Sequence, residues 1–460
     1  MKSTAIISAG LLSLAMASCC NNGEEAPAAQ RVQFHIEASA DNTRTQWGES
    51  DTDGYHMQWS EDDRLKIIIS TADNIAEASI GHISDDRSSA SFDVDMELAS
   101  TPDEYRLYAC CPASAFDGIT TDRDNTRQVP QLDFTVPQHQ RPTSQSFAPD
   151  AAVIFGCSAS DIAPTSFVAM QFTSIVAYGK ITVRDLPLDD GERVTSITLA
   201  ASRPISGKAT YRFDDDTPHS EAAQSASDTI EIEYSTADAT FSAWFTTIPA
   251  SLRDGVLCVC VKTDRGRYEK MIDLSGKDFV FEQNRILSFT VDMSAAARSE
   301  HPVWHRISSP EMISDRPHII ICNGFCCSNT LSFDGHPQAL SLSDTNIAID
   351  GNCIYNMVGD SLKWNFTTSI TGETVISQYG NPDIWLYAAN TNNGIYADNN
   401  AARRFRWIFS IADGAMRASC RNSSDTRYLG IASAGWRSYT SYNNVNYIST
   451  AIELFGLYVE

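Results

Sequence analysis

Three groups of residues in this chain have types and spacing that could do chemistry. The first is N-terminal. Lys2 gives a positive start, Ala5 to Ala17 is an apolar run too brief to span a bilayer as a stable helix, and Met16-Ala17-Ser18-Cys19 sets small side chains before a cysteine. Residues 1–18 therefore read as a secretory signal ending in a lipobox, with the Cys19 thiol as the atom that takes a diacylglycerol; a plain cleaved signal is the alternative. The second is Arg44, in the polar turn Asp41 to Thr45, where a protease could cut before Thr45. The plainer reading is a solvated turn, and Arg31 is a rival site. The third is an aromatic, amide-rich tail: Trp385, Tyr387, Tyr396, Trp436 and Tyr439, with Tyr442 and Tyr447, lie among Asn390, Asn392, Asn393, Asn443, Asn444 and Asn446. Aromatic faces stack on the apolar faces of sugar rings and amides pair with hydroxyls, so glycan or surface-protein binding is the sharper reading and ordinary packing the plainer one.

Catalytic arrangements are missing from the sequence. It holds no Gly-x-Ser-x-Gly elbow, His-Glu-x-x-His, Walker A loop or dinucleotide fingerprint, so no catalytic residue and no cofactor is expected. Asp214-Asp215-Asp216 reads as a solvated turn or a weak Ca²⁺ contact, and Arg403, Arg404 and Arg406 as solvated or as favouring an acidic ligand. The twelve cysteines show no CxxC pair followed by another, and no His pair has zinc-finger spacing, so no metal site is expected. Most cysteines read as buried small hydrophobes; a bridge among Cys322, Cys326, Cys327, Cys353 and Cys420 is the alternative. The net charge of −24 would repel phosphate backbones, which argues against nucleic-acid binding.

The elements that must position these groups are strands. Short runs such as Leu65 to Ser70, Ala90 to Asp95, Tyr105 to Cys111, Ser196 to Ala200, Val256 to Thr263 and Ile286 to Val291 are separated by Asp, Asn, Pro and Gly. Val32 to Ala38 alternates apolar and polar, as one half-buried strand should. The expected organisation is all-β: signal 1–18, tether 19–30, one β-sandwich over 31–168, a second over 169–293, a linker at 294–300 and a C-terminal β domain over 301–460. Composition shifts near residue 300, because the last 160 residues hold five of the eight tryptophans but one lysine. That tail carries an internal repeat: Trp364 and Trp407 are 43 apart, Gly372 and Gly414 are 42 apart, and Trp304 to Leu340 reads as a degenerate first copy. Such units must pack on one another to bury their tryptophans, giving a small barrel or trefoil-like body.

Several stretches together resemble the fimbrillin family of Bacteroidales surface lipoproteins, the subunits of type V pili. They are Thr43-Arg44-Thr45-Gln46-Trp47, Met57-Gln58-Trp59-Ser60-Glu61-Asp62-Asp63-Arg64-Leu65, Tyr105-Arg106-Leu107-Tyr108-Ala109, Phe134-Thr135-Val136-Pro137-Gln138-His139-Gln140 and Met170-Gln171-Phe172-Thr173-Ser174-Ile175-Val176-Ala177. The resemblance covers residues 1 to about 293 and leaves the tail unassigned. It implies a pair of transthyretin-like β-sandwiches, lipidation at the position of Cys19, and export to the outer membrane. It further implies cutting after Arg44 by an arginine-specific protease, with Thr45 as the new N-terminus. Loss of the first strand would then open a groove for a strand donated by another pilus subunit.

A stalk subunit ends in a strand that it donates, whereas here a whole domain follows the second sandwich. The expectation is therefore a tip or accessory adhesin without catalysis. The alternative is a monomeric glycan-binding lipoprotein that stays anchored in the outer membrane through Cys19. The segment Thr450 to Phe455 alternates well enough to be donated, but closing its own domain's sheet is the plainer role.

Overall fold

A computed structural model describes residues 30–40, 46–47, 57–69, 75–98, 106–124, 127–158, 167–213, 217–369, 371–389, 392–400, 406–422, 425–433 and 435–460. Cys19, Arg44, Thr45, the aspartate run at 214–216, Asn390 and the arginines at 403 and 404 lie outside the described residues. The chain is all-β.

Seven strands close on themselves first, in the order Gln30–Ala40, Phe167–Ser174, Ile154–Ser158, Leu107–Cys111, Arg64–Ile69, Ile75–Ile83 and Ser89–Leu98. Period-two patterning drives this closure: Val168, Met170, Phe172 and Ser174 are buried while the residues between them are exposed. The interior is filled by Phe34, Ile36, Leu65 and Ile67 around Trp59, whose ring meets Phe92 at 5.5 Å and Phe172 at 5.6 Å, both edge-on. Residue 168, the expected domain boundary, falls inside Phe167–Ser174. Phe167–Ser174 stays in the barrel because it pairs with both Gln30–Ala40 and Ile154–Ser158.

A two-sheet sandwich follows. Its larger sheet runs His139–Gln140, Thr229–Thr236, Val194–Ala201, Val256–Thr263, Arg267–Asp273 and Arg298–Ser299; the smaller runs Phe241–Thr247, Ala177–Arg184 and Ile286–Asp292. Ile181, Val183 and Phe245 of the smaller sheet share one core with Ile197, Leu199 and Val259 of the larger. Gly179 is needed where it stands, since the Phe245 ring occupies the space its Cβ would take. Part of the stretch expected as a linker is an edge strand, with Arg298 and Ser299 paired to Tyr268 and Arg267. Barrel and sandwich are interlocked by a four-strand sheet made of Phe116–Asp124, Arg127–Val136, Gly207–Arg212 and His219–Ala222. Phe134, Phe147, Tyr178, Tyr211 and Trp244 are buried together there.

The tail forms one connected sheet system built of hairpins. Pro317–Cys322 turns into Phe325–Leu331, Trp364–Thr368 into Glu373–Gln378, and Trp407–Ala412 into Ala415–Asn422. The first and third turn through Asn323-Gly324 and Asp413-Gly414, with both residues of each pair at positive φ, the geometry a two-residue hairpin requires. The indole of Trp364 donates to the Cys327 carbonyl at 2.8 Å and that of Trp407 to the Leu386 carbonyl at 2.9 Å, each on an earlier strand. Ile452–Leu457 lies between Trp304–Ile307 and Pro317–Cys322, antiparallel to both, with Leu454 and Phe455 fully buried. The tail does not stand apart, because its core residues Ile307, Met312, Ile320 and Tyr458 pack with Ala200, Val256, Cys258 and Cys260 of the sandwich. Arg316 adds polar ties across the same boundary, to the Ala201 carbonyl at 3.2 Å and to Asp228.

His318, on Pro317–Cys322, is wholly buried, stacks on Phe366 at 4.2 Å and donates from Nδ1 to the Arg316 carbonyl at 2.8 Å. Burial, aided by the Arg316 charge, lowers its pKa from 6.5 to about 4. The unfolded chain thus binds the extra proton first as pH falls, so stability declines between pH 6.5 and pH 4. The loss should reach about 3 kcal/mol at the lower end. Denaturant titrations across that window should show it, and His318→Asn should remove most of this slope.

Candidate functional site

The first strand, Gln30–Ala40, is paired along both edges. Ser89–Leu98 runs antiparallel to it from the Gln30↔Leu98 pair to Ser39↔Ser89, and Phe167–Ser174 runs parallel to it from His35↔Phe167 to Ala40↔Phe172. Phe34, Ile36 and Ala38 point into the barrel and are buried, while Gln33, Glu37 and Ser39 are exposed. On the outer face His35 Nδ1 lies 2.9 Å from an Asp93 carboxylate oxygen. Each neighbour is held on its far side, Ser89–Leu98 by Ile75–Ile83 and Phe167–Ser174 by Ile154–Ser158. Removing Gln30–Ala40 would therefore leave a slot between two secured strands, with an apolar floor and a row of unpaired N–H and C=O groups on either side.

The aromatic residues singled out in the tail divide into two kinds. Tyr387 and Tyr396 are cross-strand partners with stacked rings 5.7 Å apart; Tyr387 is buried and donates to an Asp398 carboxylate oxygen at 3.0 Å, while Tyr396 is half-buried. Trp385 and Tyr439 are also half-buried. Tyr439 meets the Tyr447 ring edge-on at 4.8 Å, and its backbone N–H donates to the Tyr447 hydroxyl at 2.7 Å. Trp436 corrects the expectation of an exposed stacking face: it is only 2% exposed. Strand Gly435–Tyr439 alternates, and Trp436 and Ser438 are its inward positions.

Beside these residues lies a cleft of about 620 Å³, lined by Phe325, His336, Leu340, Ile431, Arg437, Ile448 and the edge of Trp436. His336 donates from Nδ1 to the Ile395 carbonyl at 2.7 Å and lies against the Tyr396 ring at 4.0 Å, which joins the cleft to the tyrosine pair. Phe333 stands fully exposed in the adjoining hairpin turn, and Ile448 is 55% exposed. The sequence reading missed Phe333, His336 and Ile448. Only Phe333, an aromatic in the turn Ser332-Phe333-Asp334-Gly335, carried a local signal.

With the geometry in place, comparison with known proteins gives the following. No family model matches the chain, and no curated protein matches it. Solved structures do. A candidate cell adhesion protein of Bacteroides ovatus matches with a TM-score of 0.36 and 11% identity, over 57% of this chain and 94% of that one. The fimbrial anchor protein Mfa2 of Porphyromonas gingivalis matches at 0.29 and 14%, over 56% and 90%, and a fimbrial assembly protein of Parabacteroides distasonis at 0.28 and 10%, over 58% and 93%.

The described cysteines are all unbridged. Burial pushes the Cys326 and Cys420 thiols up to about 12, so both are protonated, unreactive packing groups at neutral pH.

The barrel slot yields a direct test of how much its floor contributes. Phe34→Ala should destabilise the uncut protein by about 3–5 kcal/mol, the usual cost of deleting a buried phenylalanine ring, while Glu37→Ala on the outer face should cost less than about 0.5 kcal/mol. Denaturant titration of the two variants checks the contrast.

Proposed function

We propose that this chain is a tip or accessory subunit of a type V pilus. It is exported as a lipoprotein through Cys19, reaches the outer membrane and is cut after Arg44. It then receives a strand from a neighbouring subunit in place of Gln30–Ala40. The observation that carries the reading is the two-sided pairing of that strand over a buried Phe34-Ile36-Ala38 face, since a strand so placed leaves a binding slot when it departs. A second observation supports the tip over the stalk: Ile452–Leu457, which alternates well enough to be donated, is held inside its own domain between Trp304–Ile307 and Pro317–Cys322. No catalytic role is assigned. Protein cut by an arginine-specific protease should begin at Thr45 and bind a peptide copying a stalk subunit's terminal strand, yet fail to polymerise alone. Filaments grown from this subunit alone would overturn the tip assignment. A mature N-terminus that remains a lipidated Cys19 would instead support the uncut, anchored lipoprotein.

The C-terminal domain would be the adhesive end, and the cleft beside His336 and Tyr396 supports a glycan or surface-protein ligand there. It sets apolar Phe325, Leu340, Ile431 and exposed Ile448 beside polar His336 and Arg437, with exposed Phe333 in the adjoining turn and the stacked Tyr387–Tyr396 pair at its side. Because this domain shares its core with the sandwich, the full chain is the reagent to use. On a glycan array it should bind a defined set of sugars, and His336→Ala with Arg437→Ala, both in the cleft lining, should weaken that binding by about tenfold or more, the scale of one or two lost contacts. An array with no bound sugar would remove the glycan reading.

A further inference from the structure

Three buried side chains from three strands converge at the junction of the sandwich and the C-terminal domain. Cys258 lies on Val256–Thr263, Glu269 on Arg267–Asp273 and His305 on Trp304–Ile307. His305 Nε2 is 3.8 Å from Cys258 Sγ and 3.3 Å from a Glu269 carboxylate oxygen, and the three ligand atoms all lie within 4.8 Å of one another. A tetrahedral Zn²⁺ with ordinary bond lengths would set sulfur and imidazole nitrogen roughly 3.6 Å apart and nitrogen and carboxylate oxygen roughly 3.4 Å apart. The observed separations are within a few tenths of an ångström of those. Without a metal, a Glu269–His305 ion pair would hold those two side chains together, while Cys258 would add only a weak sulfur contact.

The surroundings are those of a supported site. His305 Nδ1 faces Cys353 Sγ at 3.6 Å, so a proton on Nδ1 has an acceptor and Nε2 is left to bind a cation. The other oxygen of Glu269 accepts from Arg267 Nη1 at 3.2 Å and is approached by the Val303 N–H at 3.5 Å, which turns its partner oxygen toward His305. The side chains of Glu269 and His305 are 0% and 4% exposed, and Cys258 is wholly buried.

We infer that Cys258, Glu269 and His305 form a zinc site, with three protein ligands and the fourth position left to a water, that fastens the C-terminal domain to the second sandwich. Thiolate, imidazole and carboxylate together suit Zn²⁺, and a Cys⁻/Glu⁻/neutral His set balances its two charges. Two ligands come from the sandwich and one from the C-terminal domain, so the ion would act across the junction. Its burial means that it would enter as the chain folds.

The test uses the full-length protein, unfolded with chelator and refolded with or without Zn²⁺. About one zinc per chain should survive gel filtration, and the zinc-refolded protein should melt at higher temperature than the metal-free one. Refolding with Co²⁺ should give a thiolate-to-cobalt charge-transfer band. Cys258→Ser should abolish that band, His305→Asn should lower bound zinc at least tenfold, and Cys260→Ser should leave both unchanged. Wild-type protein that retains no metal, or lacks the charge-transfer band with Co²⁺, overturns the proposal even should the variants fail to fold. Retention of metal and band by folded Cys258→Ser overturns it equally.

Discussion

The closure of the first sheet through Gln30–Ala40 is the constraint on which the N-terminal half depends. Seven strands form a ring only while this one pairs on both sides, and its buried face supplies Phe34, Ile36 and Ala38 to the same core as Trp59, Phe92 and Phe172. Burying a phenylalanine or isoleucine contributes about 1.5–3 kcal/mol each, and each buried peptide group left unpaired costs about 1–3 kcal/mol. The terms have one sign, so an empty slot is unstable in water and is most simply relieved by another strand. The same strand thus supplies both the closure of the ring and part of its core.

What keeps such a vacancy local is the interlocking of the remaining parts. The sheet made of Phe116–Asp124, Arg127–Val136, Gly207–Arg212 and His219–Ala222 takes strands from both sides of the barrel–sandwich boundary, with Phe134, Tyr178, Tyr211 and Trp244 buried beneath. The C-terminal domain is joined in turn through Cys258, Cys260, Ile320 and Tyr458. Barrel, sandwich and tail accordingly form a series of shared cores, and the conditions inside one are set partly by its neighbour.

Much of this was legible in the sequence where the pattern was local. Val256–Thr263 has the bounds its apolar run predicts, and the alternation in Val32 to Ala38 is that of the buried strand observed. The stretch read as a degenerate first copy of the tail repeat turns through Asn323-Gly324 as the later unit turns through Asp413-Gly414. The strands Phe116–Asp124 and Arg127–Val136 escaped notice because Thr, Asp, Arg and Gln dominate them and their pairing partner at Gly207–Arg212 is distant in sequence. Trp436 was misjudged for a related reason: Gly435, Arg437 and Ser438 make its segment look like surface, although its period-two alternation would have turned it inward. The assemblies at His336–Tyr396 and Cys258–Glu269–His305 had no local spacing to betray them, since each joins residues from strands that meet only in the folded chain.

The way Ile452–Leu457 is seated has a mechanical meaning. It is flanked by antiparallel strands on both edges and its Leu454 and Phe455 are enclosed, so a pull along its axis must shear two ladders at once instead of peeling one bond at a time. A domain secured in this manner resists tension well in that direction.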